Sequence, residues 1–499
     1  MLDNRSPKPG DPSSRLGSGR LSTWDCTAMA VSVIAPAMAF TYNTSFAASA
    51  SGGSTPLAFL LGGVACFTVA LVVIGFCRKM AAAGYAYTFT SRAIGPAAGF
   101  LMGWIYIFAM FCFISMPIGG LGGFTSSLLD DELHVHVPWF IVFLVALGLI
   151  VTFTVLDVKI NARIQLTIGV ATVLVVLVFA GLEIAHAGLH GQTAAPFTFS
   201  HTLQGGFKGI FYGLIFGVLS YVGFETAAVL GEETKNPLKA IPKSVIMATV
   251  FAIVFYTVTT YALTLGIGVN NGDKWAADPT IVAHEAERVG GHTLAVLIEL
   301  GAILSAFVFG LAAMTAVTRT LFAMGRERAL PAWFGQTNRR FDTPSNAAFV
   351  VASLTVVVTV LVGFVWDYGQ GSFQVYGLFA AIGGLSFTVV YLVLCVDGMI
   401  WFRKTHLKYN LFVHGVLPGA GLIIFICAIY GSVYPVPPMP TRLVPYIILA
   451  WLLIGGAIIV ALRRRQPDLI AEIGQIAAEE GAEESMEDEG AVASSPQRL

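Results

Sequence analysis

Charge is what this chain has least of. Only 11% of its 499 residues are Asp, Glu, Lys or Arg, while 56% are hydrophobic and the mean hydropathy is +0.77. A soluble globule could not cover its surface with so little charge. Cysteine is also scarce. Cys26, Cys66, Cys77, Cys112, Cys395 and Cys427 lie scattered through or beside apolar stretches at no metal or redox spacing, which argues against a disulfide framework or a thiolate metal centre. No glycine-rich phosphate-cradling loop is present, which argues against a nucleotide-driven pump. No nucleophile–base pair or metal constellation sits at the edge of an apolar run, so no residue set for an enzyme is apparent. The residues before Asp25 are polar and rich in Gly, Ser and Pro, which is unlike a cleavable leader. No metal, no cofactor and no nucleic-acid partner is expected.

What the chain has in abundance is long apolar runs of about 20 residues, the length that crosses a bilayer as helix. They are continuous, unlike the alternating ten-residue segments of a membrane barrel. The spans read as 26–46, 56–77, 97–121, 137–155, 164–184 and 209–230, then 245–269, 294–322, 347–365, 376–395, 411–430 and 444–462. Twelve spans place 24 of the 28 basic residues on the side of the N-terminus and leave Lys208, Lys274, Arg288 and Arg442 on the other. That asymmetry is expected when both termini are cytoplasmic. The chain thus divides into a disordered cytoplasmic N-terminus (1–22), a membrane domain (23–462) and an acidic cytoplasmic tail (463–499). Within the tail, Leu469–Ala478 reads as a short amphipathic helix and Glu479–Glu489 as a solvated acidic run. The setting is a multi-pass protein of the plasma membrane, with the lipid bilayer as its solvent; the oligomeric state is not legible.

Two spans carry residues that lipid disfavours. The first holds Ala35-Pro36-Ala37 near its centre, and Pro36 removes a helix hydrogen bond there. The sixth ends in Tyr221-Val222-Gly223-Phe224-Glu225. A carboxylate at that depth is a functional-site hypothesis by default, and a glycine beside it is a place where a helix can open. Pro and Gly often only kink membrane helices. Interruptions five spans apart instead point to a midplane site between two halves of the fold.

Three connections carry recognisable text. Between spans two and three stand Gly84-Tyr85-Ala86-Tyr87 and, further on, Gly103-Trp104. After Gly223-Phe224-Glu225 come Glu232-Glu233-Thr234-Lys235-Asn236-Pro237 and Ile241-Pro242. After span eight comes Arg319-Thr320-Leu321-Phe322-Ala323-Met324. Together these resemble the amino acid–polyamine–organocation superfamily of permeases, in its bacterial amino acid permease form. The resemblance covers about Trp24 to Leu462. It implies an all-α integral membrane fold of the LeuT type: twelve transmembrane helices, ten of them in two inverted repeats of five, plus two C-terminal helices. It also implies a secondary transporter that imports amino acids by alternating access, coupled to a cation. Substrate would lie between the interrupted helices, at Ala35, Pro36, Ala37 and Met38 and at Tyr221, Val222, Gly223, Phe224 and Glu225. Amides of helix one would take the carboxylate and carbonyls of helix six the amino group, a division that helix-end electrostatics supports.

The sequence departs from the pattern at helix one, where Ala35-Pro36-Ala37 replaces the usual glycine-serine-glycine and one amide is missing. This keeps a polyamine or other organic cation open as substrate; a channel or transport-like sensor is a further alternative. The coupling ion, H+ or Na+, is assigned to Glu225 and to Thr172, which stands where some relatives place a lysine. Of the remaining candidates, Glu299 reads as interfacial, and Lys208 and Glu183 as snorkelling span ends. Phe108 and Phe307 read as packing, and His186, His190, His201, His284 and His292 as loop residues.

Overall fold

A computed structural model of the chain describes residues 21–79, 85–156, 158–191, 193–230, 234–278, 280–338, 343–365, 371–405, 410–434 and 439–465. The N-terminus before Leu21, the tail after Arg465 and Glu232-Glu233 of the sixth-span motif lie outside these residues. In chain order the helices are α1 (Thr23–Ile34), α2 (Pro36–Met38), α3 (Thr44–Ser51), α4 (Thr55–Cys77), α5 (Ala86–Ala93) and α6 (Pro96–Leu133). Next come α7 (Trp139–Val155), α8 (Val158–Gly191), α9 (Gly206–Tyr221), α10 (Thr226–Val229), α11 (Pro237–Ile267) and α12 (Gly272–Ala277). The last are α13 (Ile281–Gly290), α14 (His292–Arg326), α15 (Ser345–Val365), α16 (Gly371–Lys404), α17 (Leu417–Val433) and α18 (Val444–Arg465).

Among the described residues, ten helical stretches are long and apolar enough to cross a membrane, and α7 adds a shorter apolar helix. The first of the ten, Thr23–Cys77, has 55 residues. At about 1.5 Å per residue it is more than twice the thickness of a hydrocarbon core. It reverses at a 3-10 turn over Gly52–Ser54, where Gly52 has φ 53°. A Cβ on Gly53 would stand 1.9 Å from the Val269 carbonyl oxygen, so only glycine fits that turn.

Two packing groups form the bundle. In one, α4 lies along α11 and α9, and α1 lies against α11; in the other, α6 lies along α14 and α7, and α14 against α15. The long helix α16 packs on α6 and reaches α9 and α4, while α8 contacts α1, α11 and α14. Polar groups point inward. The outward faces are apolar, as at Val170, Leu174 and Val178 of α8 and at Tyr446, Leu449 and Leu453 of α18. Such continuous exposed apolar surface fits a lipid solvent and no other.

Leu21 and Ser22, expected in the disordered segment, belong to the fold. Leu21 is fully buried and its carbonyl accepts the Lys235 amide at 2.8 Å. Ser22 caps α1, exchanging hydrogen bonds with Asp25. Glu183 does not snorkel. Its side chain is buried and takes two hydrogen bonds, of 2.9 and 2.8 Å, from Arg288 of α13. A buried carboxylate with both oxygens bonded to one guanidinium nitrogen needs no route to water. Glu299 is half-buried near the start of α14, and Lys208 is exposed with its amine over the Tyr434 ring. Phe108 stacks on Trp451 and Phe307 meets Phe153 edge-on, both as packing. His284 and His292 each engage a carboxylate, Asp278 and Glu132.

Candidate functional site

Helix one opens at Ala35. This residue takes a left-handed conformation, φ 46° and ψ 59°, and Pro36 starts the helix again as its first residue. The first backbone bond of the new segment runs from the Ala39 amide to the Ala35 carbonyl. The amides of Ala37 and Met38 therefore have no partner among the described residues, as expected in a first helical turn. The Ile34 carbonyl left behind accepts the Tyr256 hydroxyl of α11 at 2.9 Å. Beyond Met38 the chain runs through a π-helical turn, Ala39–Asn43. Such turns carry an extra residue and often accompany function.

Helix six opens one residue after Tyr221. Val222 is extended, Gly223 has φ 129°, and α10 restarts at Thr226. The carbonyls of Ser220, Tyr221 and Val222 accept no backbone hydrogen bond among the described residues. The two openings touch. A Cβ on Gly223 would lie 2.6 Å from the Ile34 nitrogen and 2.6 Å from the Val33 carbonyl carbon. The space that the missing side chain leaves is thus taken by the backbone of helix one.

Glu225 is fully buried beside this contact. Its Oε2 accepts the Gly223 amide at 3.0 Å and the Tyr391 hydroxyl of α16 at 2.9 Å. Its Oε1 has no hydrogen-bond partner. The first pair of bonds braces the unwound segment. Around the acid stands an aromatic chain: Tyr85 against Tyr106, Tyr106 against Phe387, Phe387 against Tyr391, and Tyr391 against Phe224. The hydroxyls of Tyr85 and Tyr106 are buried without a partner. Each orphaned polar atom of this kind costs about 1–3 kcal/mol, so their gathering in one place marks where a polar solute or water belongs.

Of the residues named from sequence, Val222, Gly223, Phe224 and Glu225 form the helix-six opening, which packs on Val33 and Ile34 just before Ala35; Pro36, Ala37 and Met38 continue helix one beyond that contact, against α14 and α8. Tyr221 points elsewhere, towards Gly63 of α4 and the Tyr256 ring. Thr172 is buried, donates to its own helix at the Gly169 carbonyl, and faces Gly301 of α14. The helix-one residue bonded to α8 is Ser32, whose hydroxyl meets the Gln165 carbonyl.

Several residues escaped the sequence reading. Asn43 donates to Ser220 at 3.0 Å and accepts the Tyr376 hydroxyl at 2.6 Å, joining helix one to helix six and α16. Its buried position in a π turn has no sequence signal. Tyr376 also borders an aromatic layer in which Phe46 stacks on Phe216 and Tyr42 on Phe124. Above that layer lies a cavity of about 970 Å³, lined by Ser126, Asp130, Gln374 and Thr441 among others. It opens where α6 ends and α18 begins, at the end of the bundle opposite Thr23 and Arg465. At the other end, Leu21 pairs with Thr234, Cys26 touches Thr234 and Ser244 bonds the Thr23 carbonyl.

Residues 25–471 match the model of the amino acid permease family. The chain belongs to that family. Among curated relatives it is similar to the branched-chain amino acid permease BcaP of Bacillus subtilis, 25% identical over 68% of this chain and 74% of that one. It is 26% identical to the methylthioribose transporter of the same organism, over 69% of this chain and 75% of that one. It is 23% identical to the low-affinity putrescine importer PlaP of Escherichia coli K12, over 62% and 70%. Family and relatives are transporters and not enzymes, and the permease is a multi-pass membrane protein.

Proposed function

We propose that this permease imports amino acids across the plasma membrane by alternating access, coupled to a cation. One observation carries the reading. Free amides of Ala37 and Met38 begin one helix segment, free carbonyls of residues 220–222 end another, and the two openings touch. Helix N-termini favour anions and C-termini favour cations, which matches the carboxylate and ammonium of one zwitterion. The cavity open at one end and the contacts at the other support one of the two end states that alternating access needs. Counting Thr23–Cys77 as two passes and α7 as one brings the spans to twelve. The matching interruptions in α1–α2 and α9–α10 fit two inverted repeats of five.

Uptake into proteoliposomes tests the substrate. Apolar α-amino acids are expected to compete with a labelled amino acid, and putrescine is expected not to. Inhibition by putrescine alone would establish the second reading, a polyamine carrier, which the unpartnered Glu225 Oε1 favours. The distribution of basic residues further implies cytoplasmic termini. Engineered cysteines at Ser13 and Ser494 are therefore expected to resist an impermeant thiol reagent in intact cells and to react after lysis. Labelling of either position in sealed cells would refute that topology.

A further inference from the structure

Asp397 has no part in the site just described. It lies six residues beyond Tyr391 on α16, is fully buried, and accepts the Thr90 hydroxyl of α5 at 2.6 Å through Oδ2. Its Oδ1 has no hydrogen-bond partner, and it forms no ion pair among the described residues. One turn further along α16, the indole N–H of Trp401 is also buried and unpartnered. An orphaned acceptor and an orphaned donor four residues apart share a helix face.

This end of the bundle is tied together through α5. Lys404 of α16 donates to the Ala93 carbonyl at 3.0 Å, and Tyr87 bonds Glu327 beyond α14. The neighbouring elements also bring Arg92 of α5, Arg403 and Cys395 of α16, Cys66 and Cys77 of α4, Tyr106 and Cys112 of α6, and His414, whose ring stacks on Phe402. None of them bonds Asp397. The segment before α5 ends in Tyr85, whose ring lies against Tyr106 in the cluster around Glu225. α5 and the Tyr85 that precedes it therefore touch the surroundings of both acids.

We propose that Asp397 is a proton-binding site which controls opening of the bundle at the end that holds Thr23 and Arg465. The proton comes from water on that side and returns to it. With α5 closed on α16, the carboxyl is enclosed with no countercharge, an arrangement that suits the protonated form. Separation of α5 from α16 admits water, the proton passes to that water, and the carboxylate is solvated. Excess acid on that side then favours the closed arrangement. In an importer this slows substrate release into an acidified compartment; this consequence rests on the transport reading above, while the proton site itself does not.

Hydrogen exchange of α5 in the purified full chain tests the proposal, with rates corrected for the intrinsic pH dependence. In the parent chain, protection of Ala86–Ala93 is expected to rise about tenfold between pH 7.5 and pH 5.5. In Asp397→Asn, which keeps an acceptor for Thr90, protection is expected to be high and to vary less than about twofold over that range. Thr90→Val, which keeps the acid and loses the bond, is expected to lower protection at every pH. Equal pH dependence in the parent and Asp397→Asn would overturn the proposal, as would a flat profile in the parent. Substrate exchange in proteoliposomes gives a second reading: its slowing by acid should disappear in Asp397→Asn. A parent chain that moves no amino acid or amine would refute the transport function and leave the exchange result standing.

Discussion

Gly223→Leu is expected to abolish transport, and Gly223→Ala to reduce it more than about tenfold, in protein that is still inserted and monodisperse. Two independent costs act at this position. The backbone has φ 129°, a region that side-chain-bearing residues adopt only at a cost of about 1–3 kcal/mol. A Cβ would also overlap the backbone of Val33 and Ile34 at 2.6 Å, and backbone cannot rotate away as a flexible side chain can. Even a methyl group must therefore push the two openings apart, moving the Ala37 and Met38 amides away from the carbonyls of helix six. Substrate binding in detergent and uptake into proteoliposomes should fall together. Gly181→Ala is the matched control. It lies on α8 with nothing within 4 Å of an added Cβ, and there uptake should stay within about twofold of the parent chain. Full uptake by Gly223→Ala would show that the contact between the openings has no bearing on transport.

The placement of helices and the two interruptions were legible because each has a local cause. Apolar length marks a span, Pro36 cannot continue a helix, and Gly223 tolerates a conformation its neighbours do not. The actual hinge of helix one, Ala35, carries no such mark; it is left-handed just before Pro36, and the Tyr256 hydroxyl takes up the Ile34 carbonyl that the break leaves free. The role of Gly223 was readable only in part. Its missing side chain suggests close approach, and the structure shows that the approaching group is helix one. Long-range partners were out of reach. Glu183 reads as a polar span end until Arg288, 105 residues later, is seen bonded to it. Asp397 escaped for a different reason: the apolar run ends at Cys395, whereas α16 continues to Lys404. Tyr391 lies within an apolar run and looks like packing; only its bond to Glu225 shows otherwise.

Glu225→Gln is expected to keep substrate binding and exchange while losing accumulation against a gradient. The geometry makes the variant informative. A glutamine oxygen can replace Oε2 and still accept the Gly223 amide and the Tyr391 hydroxyl, so the brace survives. The amide nitrogen then occupies the place of Oε1, with the unpartnered Tyr85 and Tyr106 hydroxyls of the same aromatic cluster as candidate acceptors. What glutamine cannot do is take up or release a proton. Binding within about threefold of the parent chain, with counterflow intact and proton-driven accumulation reduced to equilibration, is the expected outcome. Glu225→Ala separates the two roles, because it also removes the brace. It leaves the Gly223 amide and the Tyr391 hydroxyl without an acceptor, at about 1–3 kcal/mol each, and should lower thermal stability where glutamine does not. A folded Glu225→Gln protein that binds no substrate would mean that Oε1 holds a cationic group directly. A polyamine would then become the preferred substrate, because a buried ammonium without its countercharge loses several kcal/mol. Unchanged accumulation in the same variant would restrict Glu225 to bracing the opened helix and place the coupling ion elsewhere.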